Sequence, residues 1–243
     1  MYKMIRFFSL VILWIWLVLP VKAGNVVFRH LNTSDGLSHY SVMALYQDEK
    51  GLIWIGTRNG VSVYDGGSVQ TYKHLPLDST SIHNSYIRDI TGNRKGLIYF
   101  LTNRGVSVFD TKSETFRTVF EGYAEDICFY DGRLYLASEN QVLAYDSDKK
   151  GWNTFYKLPD DRLCISRLLI TDDELYLGTD GSGLLIYDRQ KETLSHPIEK
   201  GKVSDVFEDS KKRFWVGTWE HGAYVIQSGQ ITNYRHFSKD NKT

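Results

Sequence analysis

The chain is poor in the residues that would staple or interrupt it, with two cysteines and four prolines among 243 residues. Cys128 and Cys164 fall at different places in the repeat described below, which argues against a disulfide framework and for two buried thiols acting as small apolar residues. Charge of one sign is also missing. Twenty-nine basic residues balance 29 acidic ones, so no long-range field exists to draw the chain to nucleic acid or an anionic membrane. Helical periodicity is absent throughout. There is no Gly-x-Ser-x-Gly elbow, no phosphate-cradling glycine loop and no close pair of histidines at zinc-ligand spacing. These absences leave no catalytic residue, metal or cofactor to name.

Only one long apolar run occurs, Phe7 to Leu19, preceded by Lys3 and Arg6 and followed by Val21-Lys22-Ala23. Basic start, 13 apolar residues and small residues at the cleavage position describe a signal peptide over 1–23, with export to the periplasm. An uncleaved anchor is the alternative. It would fall short of the roughly 20 residues that span a bilayer, and no membrane span is expected after cleavage.

What is abundant is aromatic residues and glycine: 16 Tyr, 12 Phe, six Trp and 20 Gly, a composition suited to strands and tight turns. They recur with a period. Trp54-Ile55-Gly56-Thr57, Tyr99-Phe100-Leu101-Thr102, Tyr135-Leu136-Ala137-Ser138, Tyr176-Leu177-Gly178-Thr179 and Trp215-Val216-Gly217-Thr218 are spaced by 45, 36, 41 and 39 residues. Each is followed 10 or 11 residues later by Tyr64-Asp65, Phe109-Asp110, Tyr145-Asp146, Tyr187-Asp188 or the degenerate Ile226-Gln227. Constant spacing inside variable outer segments marks one rigid hairpin. In the first copy alternation and turn residues predict strand A over 42–47, B over 52–56, C over 61–64 and D over 69–74.

Four short antiparallel strands per 40-residue unit predict an all-β propeller, with blades at about 37–75, 82–120, 123–158, 163–198 and 202–237 inside a domain spanning 24–243. A repeating β-sandwich or barrel is the alternative. The aromatic-then-basic signature of strand D, seen in Tyr72-Lys73 and Tyr234-Arg235, also occurs at Phe28-Arg29-His30-Leu31, before any blade has begun. A solitary outer strand followed by five complete blades is expected to be the N-terminal part of a six- or seven-bladed ring. A five-bladed ring with a dangling strand competes with it.

Asp35-Gly36-Leu37-Ser38 running through Gln47-Asp48-Glu49-Lys50-Gly51-Leu52-Ile53-Trp54-Ile55-Gly56-Thr57 to Gly60-Val61 and Tyr64-Asp65-Gly66 resembles the two-component regulator propeller repeat. The resemblance is strongest at 35–66, clear again in the fifth copy, and weakest in the third, where Gln141 stands at the usual glycine. It implies the periplasmic sensor region of a hybrid two-component system from Bacteroides-type bacteria, recognising glycan-derived oligosaccharides. Kinase, receiver and DNA-binding parts lie outside these residues. A homodimer or a second propeller is the expected protein partner. A stand-alone protein-binding scaffold is the second reading, and a propeller lyase or glycosidase the third.

Asp65, Asp110, Asp146 and Asp188 are expected to cap turns rather than to act in catalysis. B–C and D–A loops should emerge on one face around the central channel, which brings Arg58, Asn59, Asn84, Tyr86, Asn103, Arg104, Trp219, Glu220 and His221 forward as ligand-binding candidates. Planar aromatics beside amides and charges suit stacking on and hydrogen bonding to sugars. Trp219 stands out, because an exposed loop tryptophan is costly.

Overall fold

A computed structural model describes residues 28 and 30–235. The chain divides into two compact units, Met1–Leu31 and Asn32–Thr243. Within the first, Phe28, His30 and Leu31 lie in no strand, so the solitary outer strand expected at 28–31 is not seen in the residues described there. The predicted signal peptide, Arg29 and residues 236–243 lie outside the described residues.

The second unit opens on a short 3-10 turn, Thr33–Asp35, capped reciprocally by Asn32 and Asp35 and ended by Gly36 at φ 103°. Twenty strands follow. Blade 1 comprises β1 (Val42–Gln47), β2 (Ile53–Thr57), β3 (Gly60–Tyr64) and β4 (Val69–Tyr72). Blade 2 comprises β5 (Ile87–Gly92), β6 (Leu97–Thr102), β7 (Gly105–Asp110) and β8 (Thr115–Glu121). Blade 3 contains β9 (Asp126–Tyr130), β10 (Arg133–Ser138), β11 (Gln141–Asp146) and β12 (Gly151–Lys157). Blade 4 is built of β13 (Ile165–Ile170), β14 (Glu174–Gly181), β15 (Leu184–Asp188) and β16 (Thr193–Ile198), and blade 5 of β17 (Gly201–Glu208), β18 (Phe214–Thr218), β19 (Ala223–Gln227) and β20 (Gln230–Tyr234). Every blade is an antiparallel meander, and blades 4 and 5 are joined where Asp180 and Gly181 of β14 pair with Lys202 and Gly201 of β17. The first strands β1, β5, β9, β13 and β17 neighbour one another in that order, which makes this a propeller.

The turn chemistry explains the repeat. Asp48 accepts from the amides of Lys50 and Leu52 and from the indole of Trp54, all at 2.9 Å, so one buried carboxylate closes the A–B turn and fixes the aromatic. Asp209 does the same for Lys211, Arg213 and Trp215. The threonine ending each B strand closes the next turn: Thr57, Thr102, Thr179 and Thr218 donate to the carbonyls of Gly60, Gly105, Gly183 and Gly222 at 2.6–2.9 Å. Blade 3 lacks that threonine and that glycine, and Glu139 takes the left-handed conformation instead (φ 54°). Asp65, Asp110, Asp146 and Asp188 cap the backbone two or three residues on, as their spacing predicts.

Four apolar seams lie between successive blades. Each is organised by the repeat's aromatic: Trp54, Tyr99, Tyr135 and Tyr176 are buried against the following blade. The small residue two positions later leaves room for a branched side chain from that blade. A Cβ on Gly56 would lie 2.6 Å from Ile87, and one on Gly178 would lie 2.6 Å from Val203. The same side of blade 5, with Phe207 and Tyr234, is exposed.

Candidate functional site

The site lies on the inner strands. In β1, β5, β13 and β17 the register slips by one residue near the start, at Met43, Arg88, Ser166 and Ser204. A bulge of this kind re-aims the side chains that follow it. Immediately after it, the residues opposite the small position of strand B are Ala44, Asp89, Arg167 and Asp205; Asp126 holds the same place in β9, which has no bulge. Five equivalent positions thus carry one alanine and four charges. The four charged ones line a cavity of about 380 Å³ that also receives Met43, Arg88, Glu125, Tyr86 and Asn103.

Two of these carboxyls meet. Asp89 and Asp126 neighbour each other at the axis, and each perturbs the other's carboxyl. Burial raises the Asp126 carboxyl well above the usual range, the neighbouring Asp89 adds to this, and Arg167 with the Leu168 amide opposes it. The half-buried Asp89 is raised by burial too, offset by the Ile90 amide, Asp126 and Arg167. Leu168 N–H donates to Asp126 at 2.7 Å, so blades 3 and 4 are tied through that carboxyl. Behind it, burial and then the two carboxyls push the Cys128 thiol well up. Both cysteines are free.

The two arginines are held differently. Arg88 pairs with Glu125 at 2.7 Å, contacts the Ala124 carbonyl and lies 4.7 Å over the Tyr123 ring. Arg167 donates to the Ser166 carbonyl at 2.6 Å and leaves the rest of its guanidinium towards the acids.

B–C and D–A loops share one face, since the Arg58 amide donates to Ser41, Asn103 to Tyr86 and Asp180 to Cys164. Of the residues proposed from sequence, Tyr86 and Asn103 line the cavity. The Arg58 guanidinium lies 5.9 Å over Tyr86, and Asn84 accepts the Tyr86 amide at 2.9 Å and so sets the ring's backbone. Asn59 and Arg104 are exposed turn residues whose amides are held by Thr57 and Thr102. Trp219 and Glu220 are exposed, and neither reaches the cavity. His221 packs inward instead, with a buried Nδ1 that has no partner among the described residues. Sequence reasoning centred on loops missed Asp89, Asp126, Arg167 and Asp205. Their signal is an ionisable residue inside a first strand, nine or ten residues before the repeat's aromatic.

Residues 36–59, the 3-10 turn's end through the first B–C turn, match the family described as two component regulator propeller. The chain carries that repeat. A 74-residue stretch of the chain is 43% identical to histidine kinase P4 of Formosa agariphila, covering 30% of the chain and 5% of the kinase. The extracellular domain of a hybrid two-component system from B. thetaiotaomicron superimposes with a TM-score of 0.72 at 19% identity, over 84% of this chain and 31% of that one. PorZ, a surface component of the type-IX secretion system of Porphyromonas gingivalis, shares the fold at a TM-score of 0.59 and 14% identity, over 79% of this chain and 33% of its own. The chain therefore spans about a third of these solved proteins. Among the described residues no helix is long and apolar enough to cross a membrane.

Proposed function

We propose that this chain is a ligand-receiving input module of an exported two-component sensor, acting in the periplasm, and that its ligand is a small glycan-derived oligosaccharide held at the central channel. The observation that carries this reading is the polar cavity itself, assembled from all five first strands in a repeat of the regulator-propeller type. Tyr86 offers a ring for stacking, and Asn103, Ser204 and the carboxyls offer partners for hydroxyls. A propeller sheet has little internal freedom, so occupancy is read out through how this module packs on a second propeller or a second protomer. The exposed Phe207 and Tyr234 side of blade 5 suits such a contact.

The acid pair in the channel gives the lyase or glycosidase reading one specific support that the sequence did not offer. That chemistry needs two carboxyls about 5 Å or more apart flanking a sugar bond, a demand that product analysis tests directly. Calorimetric titration of the purified chain with a panel of oligosaccharides tests the proposal. Saturable binding with the sugar recovered intact supports it; a cleaved product would turn the assignment to catalysis, and no binding across the panel would remove the oligosaccharide.

A further inference from the structure

We infer that the channel cavity selects a ligand bearing a primary ammonium group flanked by hydroxyls, an inference that rests on the sensor reading for the channel being the site. The charges in the cavity do not cancel. Arg88 is matched by Glu125 at 2.7 Å and covered by Tyr123, so that pair is neutral within itself. Asp89, Asp126 and Asp205 then face Arg167 alone. The lining thus carries three carboxyls against one guanidinium, and the acid left over at the mouth is the exposed Asp205.

The three carboxyls come from three blades at one level of the channel, since they occupy equivalent positions opposite Leu101, Ala137 and Gly217. An ammonium carries three donors on one atom and needs no fixed coordination shell. A metal ion demands tighter convergence, and among the described residues no group of three or more His, Cys, Asp or Glu is arranged to hold one. Anionic sugars are opposed by the same surplus charge. Asp205 is the accessible acid: it is exposed, and only one of its oxygens is engaged, by the Val206 amide at 2.9 Å. Asn103, Ser204 and Tyr86 supply uncharged partners for the rest of the ligand.

The experiment is calorimetric titration of the purified chain with β-1,4-linked diglucosamine, its N,N′-diacetyl counterpart, digalacturonate and 1,4-diaminobutane. Diglucosamine should bind at least about tenfold more tightly than the acetylated sugar, the effect of one charge-assisted hydrogen bond. Asp205→Asn should remove most of that preference. The amide still accepts from Val206, and an unchanged melting temperature would confirm an intact fold. Equal or better binding of the acetylated or acidic sugar would overturn the ammonium inference and leave the oligosaccharide sensor standing. Binding of the diamine but of no sugar would sustain the ammonium site and overturn the oligosaccharide. Failure of both amines to bind, or a preference unaltered in Asp205→Asn, overturns the inference.

Discussion

Replacing Asp126 by asparagine should flatten the dependence of stability on pH above pH 4. In the folded chain the Asp126 carboxyl is raised well above its ordinary value of 3.8 by burial and by Asp89, whereas in the unfolded chain it ionises normally. Between those two values the folded state holds a proton that the unfolded state has lost. Stability from this group is therefore complete below pH 4 and is lost as pH rises towards the raised value, at about 1.4 kcal/mol per pH unit for one proton. Asp65 and Asp160 act in the opposite sense, being lowered to about 2 by hydrogen bonds to the Ser68 and Gly67 amides and to Arg162 respectively. Their contribution is present above pH 4 and lost below it, so it does not contaminate the upper window. An amide at position 126 still accepts from Leu168, so that tie between blades 3 and 4 survives. Urea unfolding at pH 4.5, 5.5 and 6.5 should show the wild-type slope reduced by about one proton's worth in the variant, with the residue due to Asp89. An identical slope in the two proteins would refute the raised proton affinity of Asp126.

Other consequences are as concrete. Asp48→Ala orphans two amides and the Trp54 indole and should cost about 2–4 kcal/mol; Asp48→Asn, which keeps an acceptor for the amides, should lose less, and equal losses by urea titration would deny the carboxylate its role. Gly178→Ala drives a Cβ to 2.6 Å from Val203 and should cost about 1–3 kcal/mol by overpacking. Adding Val203→Ala should recover part of it, and strict additivity in the double-mutant cycle would show that the seam does not couple them. Cys128, with its thiol pushed well up by burial, should resist an aromatic disulfide reagent at pH 8 until the chain is unfolded; rapid labelling of the native protein would contradict its placement. Trp219→Ala removes a ring that is 73% exposed, and its stability should stay within about 0.5 kcal/mol of wild type. Retained ligand affinity would place recognition in the channel, and lost affinity would return it to the loop.

The five blades were legible because their code is local. Trp54, Tyr99, Tyr135, Tyr176 and Trp215 recur, and the A–B and B–C turns of blades 1, 2, 4 and 5 are closed by side chains within four residues of the backbone they bind. The third B–C turn was the weak point of that reading, and it is the one where Glu139 replaces glycine as the left-handed residue.

Position along the chain determined the strands, the turns and the aromatic seams, since alternation, glycine and capping side chains act over a few residues. It did not determine the site. Asp89 and Asp126 stand 37 residues apart in sequence and meet only because two blades place their first strands side by side at the axis. Their raised proton affinity comes from burial, which no local pattern encodes. The bulges at Arg88 and Ser204 shift the register by one, and in a strand that single step decides which side chain enters the channel. Only the tertiary structure could choose between neighbours there, because the choice depends on the strand each one faces.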